Sequence, residues 1–413
     1  MDTSNETRLV RKHSSDGIGY SVVELNDVRH VLAAAVPRSG RDLHAQADDA
    51  LRTIEAVISE EGARGTIVKQ VVFYSDHSQL ESLKARIREF YGPDLPATTY
   101  VPQCPCAGKL LEIEAMGVGR GFGDVEILRR GEQMVITRHN GIAWAHCSQI
   151  TPTTDASSLY ERSLDCFRQM RDLLAAENIG FDRIIRTWLY IGDIVGPEAD
   201  TQRYKEVNRA RTDFFGDYQF GRGIVPPSYN GMVYPASTGI GADDRDIVMS
   251  CVAFATDRND IMAVPLENPR QTSAFDYAAV YSPKSPKFSR AMALSCGRYA
   301  TILVSGTASI TESETRHVGD VIGQTEETLD NIEALIGHEN LARHGMPGHN
   351  ATLDDLAFAR VYVKRQADYA KIRAVCESRL GELPTIYAVA EVCRDDLLVE
   401  IEGMAFSQRT DAE

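Results

Sequence analysis

Leu398-Val399-Glu400-Ile401-Glu402-Gly403-Met404, near the end of the chain, echoes Leu110-Leu111-Glu112-Ile113-Glu114-Ala115-Met116 far earlier. Both read as strands that finish a repeated unit. Between them stands a version without the carboxylate pair, Val248-Met249-Ser250-Cys251-Val252-Ala253. The hydrophobic period ahead of each gives the same order of helix, strand, helix and final strand. In the first copy these are residues 45–60, 68–74, 79–91 and 110–116. In the second they are 158–177, 184–191, 201–215 and 247–254, and in the third 325–336, 356–364, 368–380 and 397–406. This order predicts an α+β unit in which two helices cover one face of a mixed sheet. Stacking three units about a pseudo-threefold axis would shield strand edges that each unit alone leaves exposed.

The chain has 413 residues, 43% hydrophobic and 25% charged, which fits two or three globular modules. The units are expected at 1–120, 121–270 and 271–413. Turn-rich stretches at 117–131 and 257–286 mark the junctions, and 216–241, with six glycines and Pro226-Pro227, reads as a long loop and pocket wall. A net charge of −15, from 44 basic and 59 acidic residues, repels polyanions and argues against nucleic acid. A small anion could still bind where inward arginines overcome that field at short range. The sequence has neither an apolar run of membrane-spanning length nor a secretory pattern at its start, so a cytoplasmic protein is expected. The eight scattered cysteines read as reduced thiols, and no histidine spacing fits a metal site, so no metal or other cofactor is expected.

Glu400 and Glu402 lie two apart on a strand, so their side chains leave one face about 7 Å apart. That face is either a solvated rim or a cleft dry enough to raise one pKa and make a general acid. Glu112 and Glu114 carry the same signal. Tyr204 and Arg211, two helical turns apart, could hold a carboxylate, or the arginine could be solvated and stacked on a core tyrosine. Arg290, following Tyr277 and Tyr281, is a second candidate of that kind. Ser305-Gly306-Thr307 follows a strand but lacks the first glycine of a nucleophile elbow.

Gly323-Gln324-Thr325-Glu326-Glu327-Thr328, Ala359-Arg360-Val361-Tyr362-Val363 and Val399-Glu400-Ile401-Glu402-Gly403 resemble the Rid (YjgF-type) superfamily. His139-Asn140-Gly141-Ile142-Ala143-Trp144, Arg186-Thr187-Trp188, Thr238-Gly239-Ile240-Gly241-Ala242, Leu266-Glu267-Asn268-Pro269 and Leu397 to Met404 look like the chorismatases within it. The resemblance runs from His139 to Phe406 and leaves the first unit outside, as a degenerate copy. It implies repeated Rid/YjgF-like (chorismate-mutase-like) units around a pseudo-threefold barrel with helices outside. Ile386 stands where imine deaminases of the superfamily carry a substrate-binding arginine, which counts against that activity.

Chorismatases remove pyruvate from chorismate. By resemblance Glu400 is the acid that protonates the enol methylene, while Tyr204, Arg211, Tyr277 and Arg290 surround the substrate carboxylates. Gly306, where the hydrolytic branch is larger, and Cys393, which that branch lacks, imply the type that forms a hydroxybenzoate, chiefly 3-hydroxybenzoate. The alternative reading of Cys393 is a buried core thiol. The expected partner is the small-molecule substrate alone, with no nucleic acid or membrane, on a monomer or small homo-oligomer.

Overall fold

The computed structural model describes residues 8–61, 64–119, 123–227, 229–277 and 284–410. Tyr281, Ser282 and Pro283, and part of the 117–131 junction, lie outside them. Three six-stranded sheets share one topology. In spatial order the first contains Val10–Ser15, Ile18–Leu25, Val28–Ala35, Leu111–Val118, Ile67–Tyr74 and Ala97–Pro102. The second contains Glu126–Arg130, Met134–His139, Ile142–Ile150, Ile247–Thr256, Ile184–Gly192 and Ala236–Ala242. The third contains Met262–Leu266, Ala291–Cys296, Tyr299–Ala308, Val399–Gln408, Leu356–Val363 and Thr385–Val389. Every neighbouring pair is antiparallel except the last of each sheet, which is parallel and joined by a crossover helix.

The helices α1 (Leu43–Glu61) and α2 (Leu80–Tyr91) cover the first sheet, and α3 (Leu159–Ala175) and α4 (Arg203–Phe215) the second. The third is covered by α5 (Val321–Ile336), the short α6 (His338–Arg343) and α7 (Tyr369–Leu380). The helices and final strands therefore fall where the hydrophobic period placed them. The opposite faces of the three sheets meet in one apolar cluster, with Leu32 and Phe73 from the first, Trp188 and Phe254 from the second, and Leu303 and Phe406 from the third.

Two expectations need correction. Among the described residues the sheets do not close into a barrel. Each stays open, and isolated bridges at Ala236–Ser289 and Pro105–Ala388 mark the seams without a continuous ladder. Edge backbone groups are taken up by side chains instead: Ser237 N–H donates to Ser305 Oγ at 2.9 Å, and Tyr100 N–H to Gln149 Oε1 at 2.8 Å. The glycine-rich stretch 216–241 is irregular only in its first part, because its end forms the strand Ala236–Ala242. Met262–Leu266 pairs with Ala291–Cys296 and so joins the third sheet.

Candidate active site

Alternation along Val399–Gln408 decides which side chains meet at the seam of the second and third sheets. Val399, Ile401 and Ala405 pack towards α5 and α7, which turns Glu400, Glu402, Met404 and Phe406 to the inner face. Glu400 lies opposite Ala308 and Tyr362 in the ladder. Between Val304 and Thr307 the neighbouring strand carries one extra residue, so Ser305 and Gly306 together oppose Glu402. Gly306 N–H donates to Thr238 Oγ1 at 2.9 Å, which fixes this bulge against the second sheet. A Cβ at position 306 would run into the Glu400 carboxyl and come within 3.1 Å of Thr238 Cγ2.

Seven residues singled out from the sequence line one cleft: Glu400, Cys393, Gly306, Tyr204, Arg211, Tyr277 and Arg290. It bridges the second and third sheets. Tyr204 and Arg211 come from α4, as their spacing requires. Asn208 lies between them on the same face, a residue the pairwise reading passed over. Gly239 lets the Tyr204 ring approach, since a Cβ there would stand 3.0 Å from Tyr204 Cε2. Two residues on, Gly241 N–H donates to the Glu391 carbonyl at 2.8 Å and a Cβ would lie 2.6 Å from that oxygen. This close approach seats the loop carrying Cys393 and Arg394 on the cleft wall.

The two carboxyls of the strand are in opposite electrical states. Burial pushes Glu400 up to about 8, and the Glu402 carboxylate adds to the effect. The Glu400 carboxyl forms no hydrogen bond with any described residue. Glu402 is also buried, which alone would raise it, but the Arg360 and Arg186 guanidiniums hold it down at about 2. Its partners are Arg186, Thr238, Trp188 Nε1 at 2.9 Å, Arg360 Nη1 at 2.7 Å and Tyr362 OH at 2.8 Å. These partners come from the Arg186-Thr187-Trp188, Thr238 and Ala359 to Val363 motifs, whose part in holding Glu402 could not be read from sequence spacing.

Two buried arginines face the cleft without an ion pair among the described residues. Arg211 donates to Ser237 Oγ at 3.2 Å and Asn208 Oδ1 at 2.5 Å, and its Nε has no partner. Arg290 donates to the Thr272 carbonyl at 2.9 Å and Tyr277 OH at 2.7 Å, and its Nε is likewise unpartnered. Both guanidiniums lie over the Phe288 ring, at 5.4 and 5.5 Å from its centroid. The Cys393 thiol, raised to about 12 by burial and then by Glu400, is neutral at physiological pH. An unpaired acid beside two unpaired guanidiniums suits a dianion that must receive a proton.

The chain is 34% identical over 280 residues to a 3-hydroxybenzoate synthase of Streptomyces hygroscopicus, covering 64% of this chain and 76% of that protein. It is 35% identical over 274 residues to a chorismatase of the same organism, covering 64% and 74%. A RutC family protein of Pyrococcus abyssi is 28% identical over 135 residues, 31% of this chain and 96% of its own. Among solved structures, a chorismatase crystal structure superposes with a TM-score of 0.64 at 25% identity, covering 83% of this chain and 93% of the other. No family model matches.

Proposed function

The chain belongs to the chorismatase family, and from that premise we propose that it cleaves chorismate to pyruvate and 3-hydroxybenzoate at the seam of its second and third units. The observation that carries this reading is the buried, unbonded Glu400 carboxyl in the same cleft as Arg211 and Arg290. Units at 1–120, 121–270 and 271–413 would then place the acid in the last and one anion clamp in the middle.

Chorismate carries two carboxylates, one on the ring and one on the enolpyruvyl ether. Arg211 and Arg290 take these, with Tyr204 and Tyr277 beside them. Arg290 opposes protonation of Glu400 when the cleft is unliganded. A bound carboxylate neutralises that field, so substrate binding itself keeps Glu400 in its acid form. Glu400 delivers its proton to the enol methylene, and the ether carbon becomes an oxocarbenium ion. The neighbouring ring hydroxyl then displaces the ether oxygen, which leaves as the keto oxygen of pyruvate. The hydroxyl proton returns to the Glu400 carboxylate, and the resulting arene-oxide-like ring opens to the phenol. Chorismate divides into the two products without consuming water.

Gly306 leaves the ring room to tilt beside Glu400, and the neutral Cys393 thiol supplies a small, weakly polar wall in place of a hydrolytic water. Product chromatography after incubation with chorismate tests the reading. Equal amounts of pyruvate and 3-hydroxybenzoate are expected. A dihydrodiol acid as the main product would make the enzyme hydrolytic, and 4-hydroxybenzoate would reassign the displacement.

A further inference from the structure

A second cavity lies at the centre of the molecule, enclosed by the inner faces of all three sheets and separate from the cleft of Glu400. Its polar wall is made by Lys69 from the first sheet and Thr137, Trp144 and His146 from the second. Its apolar wall includes Leu32, Met116, Ile142, Leu303, Phe358 and Phe406. The half-buried Asn26, Asn140 and Tyr299 stand at or beside three hairpin turns, one from each unit, and form its rim.

The polar wall is under-used by the protein. Among the described residues, Trp144 Nε1, Thr137 Oγ1 and both ring nitrogens of His146 are buried without a hydrogen-bond partner. His146 is 3% exposed and Thr137 1%. Buried polar groups are normally satisfied, and with a neutral His146 this wall offers up to three unmet donors, the indole N–H, one imidazole N–H and the Thr137 hydroxyl, to a ligand that carries acceptors. The charges agree. Lys69 lies 3.7 Å from Glu114, Arg360 pairs with both Glu114 and Glu402, and Arg186 pairs with Glu402. Three cations therefore meet two carboxylates, leaving one positive charge in excess. The surrounding histidines do not alter that count, because burial pulls His30 and His146 to about 3 and His139 to about 4. Lys69, lowered by burial to about 8, still carries its proton at neutral pH. No three of the described His, Cys, Asp or Glu side chains are grouped to hold a metal ion.

We propose that this central cavity is a second binding site, for a small aromatic monocarboxylate whose carboxylate meets Lys69 and the N–H groups of Trp144 and His146, and whose ring lies among the apolar side chains of the three sheets. Rings already flank the place: His139 stacks on Trp144 at 6.2 Å, and Lys69 Nζ lies 3.9 Å from the Trp188 centroid. Glu402 and Arg186 line this cavity as well as buttressing the strand of Glu400. An occupant would thus be felt at the neighbouring cleft.

The two tryptophans of the chain, Trp144 and Trp188, both line this cavity, and neither lines the cleft of Glu400. Tryptophan-selective fluorescence of the full-length protein titrated with benzoate therefore reads this site. A saturable change is expected. It should weaken by about tenfold or more in Lys69→Met, which removes the charge that meets the carboxylate, and persist in Arg211→Ala. Thr137→Val, a nearly isosteric change, gives a second variant should Lys69→Met lose its native circular dichroism. No saturable change in the parent protein would overturn the proposal. So would native-like affinity in both cavity variants, loss of the response in Arg211→Ala alone, or benzoate-soaked crystals showing only water in the cavity.

Discussion

Glu400 and Glu402 are two residues apart on one strand and equally withdrawn from solvent, yet one holds its proton at neutral pH and the other cannot. The difference lies in their partners, since five groups satisfy Glu402 and none satisfies Glu400. Glu400→Gln should therefore lower kcat by on the order of 10²-fold or more with KM little changed, measured as pyruvate release. Because the acid form is required, kcat/KM, which follows the free enzyme, should fall as pH rises through about 8. Stability carries the same sign. A carboxyl raised from about 4.5 to about 8 on folding binds more protons in the native state, so stability falls across that interval by about 1.4 kcal/mol per pH unit. Above pH 8 the Gln variant should melt higher than its parent, and a lower melting point there would contradict a buried, unpaired acid. Arg211→Ala and Arg290→Ala should each weaken transition-state binding by about 2–5 kcal/mol in kcat/KM. Unchanged constants in both would leave the substrate anion unexplained.

At the scale of elements, the bulge that opposes Gly306 to Glu402 is where the proposed mechanism puts the choice of product. Gly306→Ala places a methyl group against the Glu400 carboxyl. The carboxyl is the end of a flexible side chain, so the strand should survive while the acid is pushed aside. The expected outcome is a several-fold lower rate and a larger share of dihydrodiol acid by chromatography. An unaltered product ratio would remove Gly306 from the branch point. Much of this region was legible in the sequence, because the period-two pattern of Val399–Gln408 and the two-turn spacing of Tyr204 and Arg211 fix side-chain direction locally. The bulge was not, since it depends on a hydrogen bond from Gly306 to Thr238 on another sheet. The hairpins that open each unit were also largely missed, because strands such as Glu126–Arg130 are polar edges without a buried alternation.

For the whole molecule, the first unit is part of the common core. Leu32, Val71 and Phe73 belong to the apolar cluster shared by the three sheets. Among the described residues, Glu114 and Glu402 are the two carboxylates that pair with Arg360. A repeat pattern reveals such a unit but not what its inner face touches, which is why its purpose could not be read from sequence. Removing residues 1–120 would expose the inner apolar faces of the other two sheets and take Glu114 away from Arg360. Loss of one partner from a buried pair costs about 3–5 kcal/mol, comparable with the whole stability of many domains. The truncated chain should therefore be insoluble or lack a cooperative melting transition, although every proposed catalytic side chain lies beyond the cut. The check is soluble yield and thermal unfolding beside the full-length protein. A truncated chain that melts cooperatively and releases pyruvate at the parental rate would show that the first unit is a separable appendage and that the shared core is dispensable.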